Sequence, residues 1–336
     1  MADSSEINNV YQRLQEETST VLVGQDDIIE RLFISLLTEG HVLLEGVPGV
    51  AKTTIAKTFA RAVGLDQSRI QLTPDTLPAD VTGTTIYREQ TGEFETQKGP
   101  VFANLVIADE VNRTTPKTQS ALLEAMQERQ VTIDNTQHQL PDPFMVVATQ
   151  NPIEMEGTFE LPEAQRDRFQ FKLIVDLPDR QDERSILSRF DRDPTLDPAA
   201  VSQVLSTDDI NSLQQTVAQT YVATSVQDYI LDVVTATRQH RAVQNGASPR
   251  AALHYQSASK AKAAIEGRNY VIPDDIKSLA HSVLAHRLVL STEATLSEQS
   301  RRDIIDDILS SVDAPDGSEI REQYGDGSPV DVTVKE

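Results

Sequence analysis

The sequence predicts an α/β core, a mostly parallel sheet covered by helices on both faces, followed by an all-helical domain. Three observations carry this. Up to about Val175, short apolar runs alternate with helix-period segments, the pattern of strands linked by crossover helices. One of those runs feeds a glycine-rich loop that opens a helix. After Asp176-Leu177-Pro178 the strand signals stop, and that composition change sets the domain boundary at Pro178.

Taken in order, residues 1 to about 20 read as an amphipathic helix with Ile7, Val10, Tyr11 and Leu14 at helical spacing. Residues 26–38 are a second helix, with Ile28, Ile29, Leu32, Phe33, Leu36 and Leu37 on its apolar side. His41 to Glu45 is a buried strand, and Lys52 to Val63 a helix stopped by Gly64. Further buried strands are expected at 70–73, 105–108, 144–149 and 171–175. Two alternating segments read as inserted hairpins: 84–87 with 93–96 around Gln90-Thr91-Gly92, and 131–133 with 138–140 around Asp134-Asn135. Helices are expected at roughly 180–190, 207–220, 225–242, 250–267 and 273–286. Three regions follow: a core over 1–178, a helical domain over 179–312, and a flexible acidic tail over 313–336.

Composition narrows the chemistry. With 38 % hydrophobic residues the 336-residue chain can bury two cores. It has no cysteine, which excludes disulfides, thiol catalysis and cysteine-ligated metals. No apolar run is long enough to span a membrane, and the acidic start lacks the features of a signal peptide, so a soluble cytoplasmic protein is expected. The formal charge of −22 is spread along the chain, and lysine is scarce beside arginine. Diffuse acid of this kind suits a halophilic background, where fixed negative charge maintains solubility, and it says little about nucleic-acid partners. The six histidines show no metal-ligand spacing.

The segment HVLLEGVPGVAKTT, His41 to Thr54, is where the chemistry concentrates. Gly46, Val47, Pro48, Gly49, Val50 and Ala51 form a loop between strand and helix, and Lys52, Thr53 and Thr54 begin the helix. Backbone amides and the helix dipole favour an anion there. A lysine at that position reaches the β- and γ-phosphates of a nucleotide, and the Thr53 hydroxyl can ligate Mg²⁺. Ala51 stands where the P-loop pattern has its second glycine, and an alanine is expected to avoid the positive-φ conformations open to glycine.

A second strand, LVIADE, ends in Asp109 and Glu110. Asp109 is placed to hold the Mg²⁺ shell opposite Thr53, and Glu110 to polarise a water for in-line attack on the γ-phosphate. A third strand ends in Gln150-Asn151-Pro152. Parallel strands present their C-terminal ends on one side, so these residues should share a crevice with Lys52 and Asp109.

The strings GVPGVAKT, LVIADEVNRTTPKTQSALLEAMQERQVT, VVATQNPIEMEGTFELPEAQRDRF and GASPRAAL, in order across roughly residues 20–260, resemble the MoxR family of AAA+ ATPases. The family clade carries a helix-2 insert and a pre-sensor-1 hairpin, matching the two hairpins. Ala51 is usual for the family. The resemblance implies a five-stranded αβα AAA+ P-loop core with a helical lid, ATP and Mg²⁺ as cofactors, and self-association into a ring, commonly a hexamer. It implies that Asn151 is the sensor-1 residue, Arg168 the arginine finger acting on the neighbouring subunit, and Arg250 the sensor-2 residue on the lid. Val23, Gly24 and Gln25 would lie against adenine. Arg166, two residues from Arg168, competes for the finger role, and the roles of Arg113 and Glu128 stay open.

Relatives in this family act as chaperone-like factors on protein clients, often with a partner carrying a von Willebrand factor A domain. That implies an ATP-hydrolysing remodelling factor. A nucleic-acid motor and a chelatase-type subunit are the alternatives. Against the motor, there is no basic stripe, and Val131 to Leu140 contains no Lys or Arg.

Overall fold

The computed structural model describes residues 4–90, 92–152 and 159–315; Thr91 of the first hairpin turn and the tail from residue 316 lie outside them. The described residues divide into two compact units, Asn9–Ser212 and a second made of residues 213–315 with residues 4–8.

The first unit contains most of α1 (Ser4–Ser19), then α2 (Asp26–Leu37), β1 (Val42–Glu45), α3 (Lys52–Ala62), β2 (Gln67–Gln71), α4 (Pro78–Thr82), β3 (Gly83–Arg88) and β4 (Glu93–Lys98). It continues through β5 (Leu105–Asp109), α5 (Pro116–Glu128), β6 (Gln130–Ile133), β7 (Thr136–Gln139), β8 (Met145–Gln150), α6 (Glu163–Arg166), β9 (Phe171–Ile174) and α7 (Arg180–Arg192). The central sheet has five strands in the order β2-β5-β8-β1-β9, and every pairing is parallel. Alternate side chains of β1, β5 and β8 enter separate layers. Leu43, Val106, Ala108, Val146 and Ala148 pack with Val81, Leu122, Leu123 and Met126 of α4 and α5. On the other side α3 packs on β5 and β8, and α2 on β9.

The buried strands and the helices flanking the glycine loop lie where the apolar runs predict. Two local readings need correction. β2 begins at Gln67 and ends at Gln71, earlier than the expected 70–73, because it is an edge strand in which only Ile70 is buried. Its polar residues hide it from a hydrophobicity reading. α5 was not anticipated: its start is set by Thr115, whose hydroxyl accepts the Thr118 amide, and by Pro116 in the first turn. Both hairpins form, as β3–β4 and β6–β7, each antiparallel in unbroken register. In the first, Tyr87 faces Phe94 with ring centroids 5.2 Å apart, and both rings are exposed.

The compact units divide between Ser212 and Leu213, whereas the composition break lies at Pro178. The segment after Pro178 stays with the core through buried Val201, Leu205 and Ile210 and through polar contacts that leave no hydrophobic signal. Arg189 of α7 donates to the carbonyls of Ser19, Thr20 and Leu22, and the Val204 amide to that of Ala62.

The second unit holds the C-terminal half of α8 (Thr207–Ala218), then α9 (Thr224–Gln239), β10 (Val243–Asn245), α10 (Pro249–Ile265), α11 (Pro273–Leu284), β11 (Val289–Leu290), α12 (Thr292–Leu296) and α13 (Arg301–Ser311). Strands do not stop at Pro178: β10 and β11 form a short antiparallel pair. Two or three residues per strand are too few for an alternation to register. Buried Tyr229 and Tyr255 centre this unit, and Tyr255 donates its hydroxyl to the Ile276 carbonyl. At the start of α11 the Arg268 fork grips buried Asp275, at 2.9 and 2.6 Å.

Candidate nucleotide-binding site

The glycine loop runs from the end of β1 to the start of α3. At Gly46 a Cβ would stand 2.4 Å from the Val175 carbonyl oxygen, so no larger residue fits without moving the backbone. Gly49 takes φ +92° at the exposed tip of the loop. Ala51 does what was not expected of an alanine. It adopts φ 63°, ψ 22°, the left-handed conformation, and caps α3 with no side-chain hydrogen bond. That conformation costs an L-residue about 1–2 kcal/mol. It leaves the first-turn amides of α3 without a side-chain acceptor, as an anion-binding helix start requires.

Lys52 is half-buried and folds back on the loop, donating to the carbonyls of Gly46 and Val47, the latter at 2.9 Å. Burial holds its ammonium pKa below the ordinary lysine value, against the opposing pull of Glu110, Asp109 and Glu45.

Asp109, 3 % exposed, is the hub. The Thr53 hydroxyl lies 3.0 Å from its Oδ1 and 3.2 Å from its Oδ2. Thr149, the residue before the end of β8, donates to Oδ1 at 3.2 Å. Arg69 of β2 donates through Nε to Oδ2 at 2.6 Å. Glu110 has left-handed backbone, φ 58°, which turns its side chain out of the strand. Its amide donates to the Thr149 hydroxyl, and its carboxylate accepts from Gln71 at 3.0 Å and faces Arg113 at 3.4 Å. The parallel sheet brings these groups together, since β1, β5 and β8 all end at one edge.

The other expected residues sit as follows. Val47 and Pro48 lie in the loop, Val50 is buried beneath it, and Thr54 is in the first turn of α3. Asn151 is buried just past β8, and its carbonyl accepts from Asn112 at 3.1 Å. Gly24 takes φ +67° beside Gln25, which caps α2, and an added Cβ at Gly24 would meet Asp182. Both line a cavity of about 150 Å³ with Thr18, Leu22, Ile29 and Arg189. Among the described residues no ion pair engages Arg166 or Arg168, and the Nε of Arg166 is shielded from solvent. Glu128, exposed at the end of α5, accepts from Gln127. Arg250 is half-buried in the first turn of α10, in the second unit.

Three contributors escaped the sequence reading: Arg69, Gln71 and Thr149. Thr149 was legible as the last residue of an expected strand. Arg69 and Gln71 lie on an edge strand, where polar residues look like ordinary surface.

The arrangement fits a nucleotide with a divalent cation. The donors at Asp109 and Thr53 are both oxygen, which suits a hard cation such as Mg²⁺. A phosphate chain has the uncapped amides of α3 and the Lys52 ammonium to bind. Among the described residues no cluster of three or more His, Asp or Glu side chains offers an independent metal site.

Sheet order, glycine loop and paired strand-end acids together define an AAA+ P-loop ATPase core. Residues 41–171 match the model of the ATPase family associated with various cellular activities (AAA), and residues 235–308 match that of the AAA lid domain. The chain is 46 % identical over 323 residues to Chaperone MoxR1 of Mycobacterium tuberculosis, covering 94 % of this chain and 85 % of that protein. It is 45 % identical to the YeaC protein of Bacillus subtilis, covering 94 % and 98 % respectively. The crystal structure of a candidate ATPase from Cytophaga hutchinsonii superposes with a TM-score of 0.86 at 42 % identity, covering 93 % of this chain and 97 % of that one. The chain belongs to the MoxR family of AAA+ ATPases.

Proposed function

We propose that this protein hydrolyses ATP to ADP and phosphate with Mg²⁺ and uses the cycle, as an oligomeric ring, to remodel or activate protein complexes in the manner of a chaperone. The observation that carries the catalytic half is the hydroxyl of Thr53, next after Lys52 in the first turn of α3, resting on buried Asp109. Lys52 and the loop N–H groups between Gly46 and Thr54, Pro48 excepted, would hold the phosphates, and Thr53 and Asp109 would hold the cation, which would offset negative charge on the phosphoryl group. Glu110 accepts a proton from the attacking water, and Asn151 orients that water or the γ-phosphate. Gly24 and Gln25 contact the base. Arg250 acts from the lid, and Arg168 is lent by an adjacent subunit, so that turnover depends on assembly.

Support for the chaperone half comes from the similarity to Chaperone MoxR1. A protein client and a partner with a von Willebrand factor A domain follow from family membership, as does a ring, read as a hexamer. Action in the cytoplasm is part of the same reading; no helix among the described residues is long and apolar enough to cross a membrane. The acidic surface belongs to a halophilic protein, whose melting temperature rises in molar KCl.

Purified protein tests the reading. Wild type hydrolyses ATP, Lys52→Ala fails to retain nucleotide, and Glu110→Gln retains ATP without turnover in an assembled form visible by light scattering. Normal hydrolysis by Glu110→Gln overturns the base assignment. In mixed assemblies Arg168→Ala abolishes turnover at the neighbouring site; if Arg166→Ala does so instead, the finger is Arg166.

A further inference from the structure

Arg69 and Gln71 are two residues apart on β2, hence on one face of the edge strand beside β5. Register sets Gln71 opposite Asp109, with Arg69 reaching diagonally up to the same acid. Arg69 Nε donates to Asp109 Oδ2 at 2.6 Å, and its second arm donates to Gln71 Oε1 at 2.9 Å, so the fork is braced from two sides. The two partners differ in their access to water. The Asp109 side chain is 4 % exposed, that of Arg69 47 %.

An ion pair on a protein surface joins two mobile, solvated groups and does little. Here the acid is the buried hub that Thr53 also touches, and the guanidinium engages the oxygen facing β2. We propose that Arg69 is a positioning residue that competes with the divalent cation for Asp109 and thereby sets the cation affinity of the site. This rests on the nucleotide reading above. Arginine stays charged under all working conditions, so the competition is permanent rather than pH-dependent. Arg69 balances the buried carboxylate and holds its oxygens in place. When a divalent cation is delivered with nucleotide, the two positive charges repel at close range. The half-exposed arginine then swings into water, where its charge is solvated at low cost. The site thus prefers a cation that arrives with a phosphate chain, whose negative charge offsets the repulsion, over a free ion.

The test is a Mn²⁺ titration followed by electron paramagnetic resonance on the full chain with saturating ADP, comparing wild type, Arg69→Met, Arg69→Gln and Arg69→Lys. Removing the charge in the Met or Gln variant is expected to tighten Mn²⁺ binding about tenfold. The Lys variant, which keeps a point charge, should stay within about threefold of wild type, which separates competition from a packing role. If neither neutral variant binds Mn²⁺ at least threefold more tightly, the assignment is overturned while the nucleotide reading stands. A wild-type protein that takes up no ADP with Mn²⁺ brings down both.

Discussion

Thr149 holds Glu110 by its backbone: the hydroxyl of the threonine accepts the glutamate amide at 3.0 Å, across the β5–β8 boundary. The same hydroxyl gives its proton to Asp109 at 3.2 Å, so one buried oxygen fixes the spacing of both acids. Glu110 stands in a left-handed backbone conformation, which persists only where its surroundings over-determine it.

Thr149→Val keeps the shape and deletes the hydroxyl. It should strand the Glu110 amide and cost about 1–3 kcal/mol of stability, the penalty for an unsatisfied buried donor. We expect kcat to fall at least tenfold with KM for ATP changed less than threefold, in steady-state assays. An unaltered kcat would show that Glu110 is held by other means.

His41 makes a pH-dependent contribution. Its ring is buried between two elements: Nδ1 accepts the Val146 amide, and Nε2 therefore carries the proton donated to the Met126 carbonyl. Burial pushes its pKa down from 6.5 to about 4, so the folded state keeps it neutral while the unfolded chain protonates it. The stabilisation is complete above pH 6.5 and is lost as pH falls to 4, amounting to about 3 kcal/mol. Urea melts at pH 7 and pH 4.5 should show His41→Gln losing less stability than wild type across that interval. Equal slopes would contradict the assignment.

In the second unit, Asp275 balances the Arg268 guanidinium and accepts the Ile272 amide at the start of α11. Asp275→Ala leaves a mostly buried cation without its partner, a change that costs about 3 kcal/mol in comparable sites. Thermal unfolding should drop by several degrees, and Asp275→Asn, which can still cap Ile272, should drop less. A melting temperature unchanged in the alanine variant would mean that Arg268 finds another acceptor.

Much of the core was legible because its strands are buried on both faces. Val42 to Leu44, Leu105 to Ala108 and Met145 to Ala148 are uninterrupted apolar runs, and β1 leads directly into the glycine loop. The residues of that loop, with Asp109 and Glu110, could be named because phosphate chemistry demands those types at strand ends. What escaped notice was polar. β2 exposes most of its side chains, so Arg69 and Gln71 resembled surface residues although they reach the two acids. α7 is tied to the core by Arg189 and has no buried residue, which left the composition break at Pro178 as the visible boundary.

The backbone of Ala51 has a cost for durability. An alanine at φ 63° makes the folded chain give up part of its margin to keep the loop in one shape. Ala51→Gly should recover up to about 1 kcal/mol of that margin, less the extra freedom glycine gains when unfolded. The hardier variant should also grip nucleotide more loosely, because a loop that bends freely no longer arrives pre-shaped. Robustness to heat and readiness to bind would thus be traded against each other at a single methyl group.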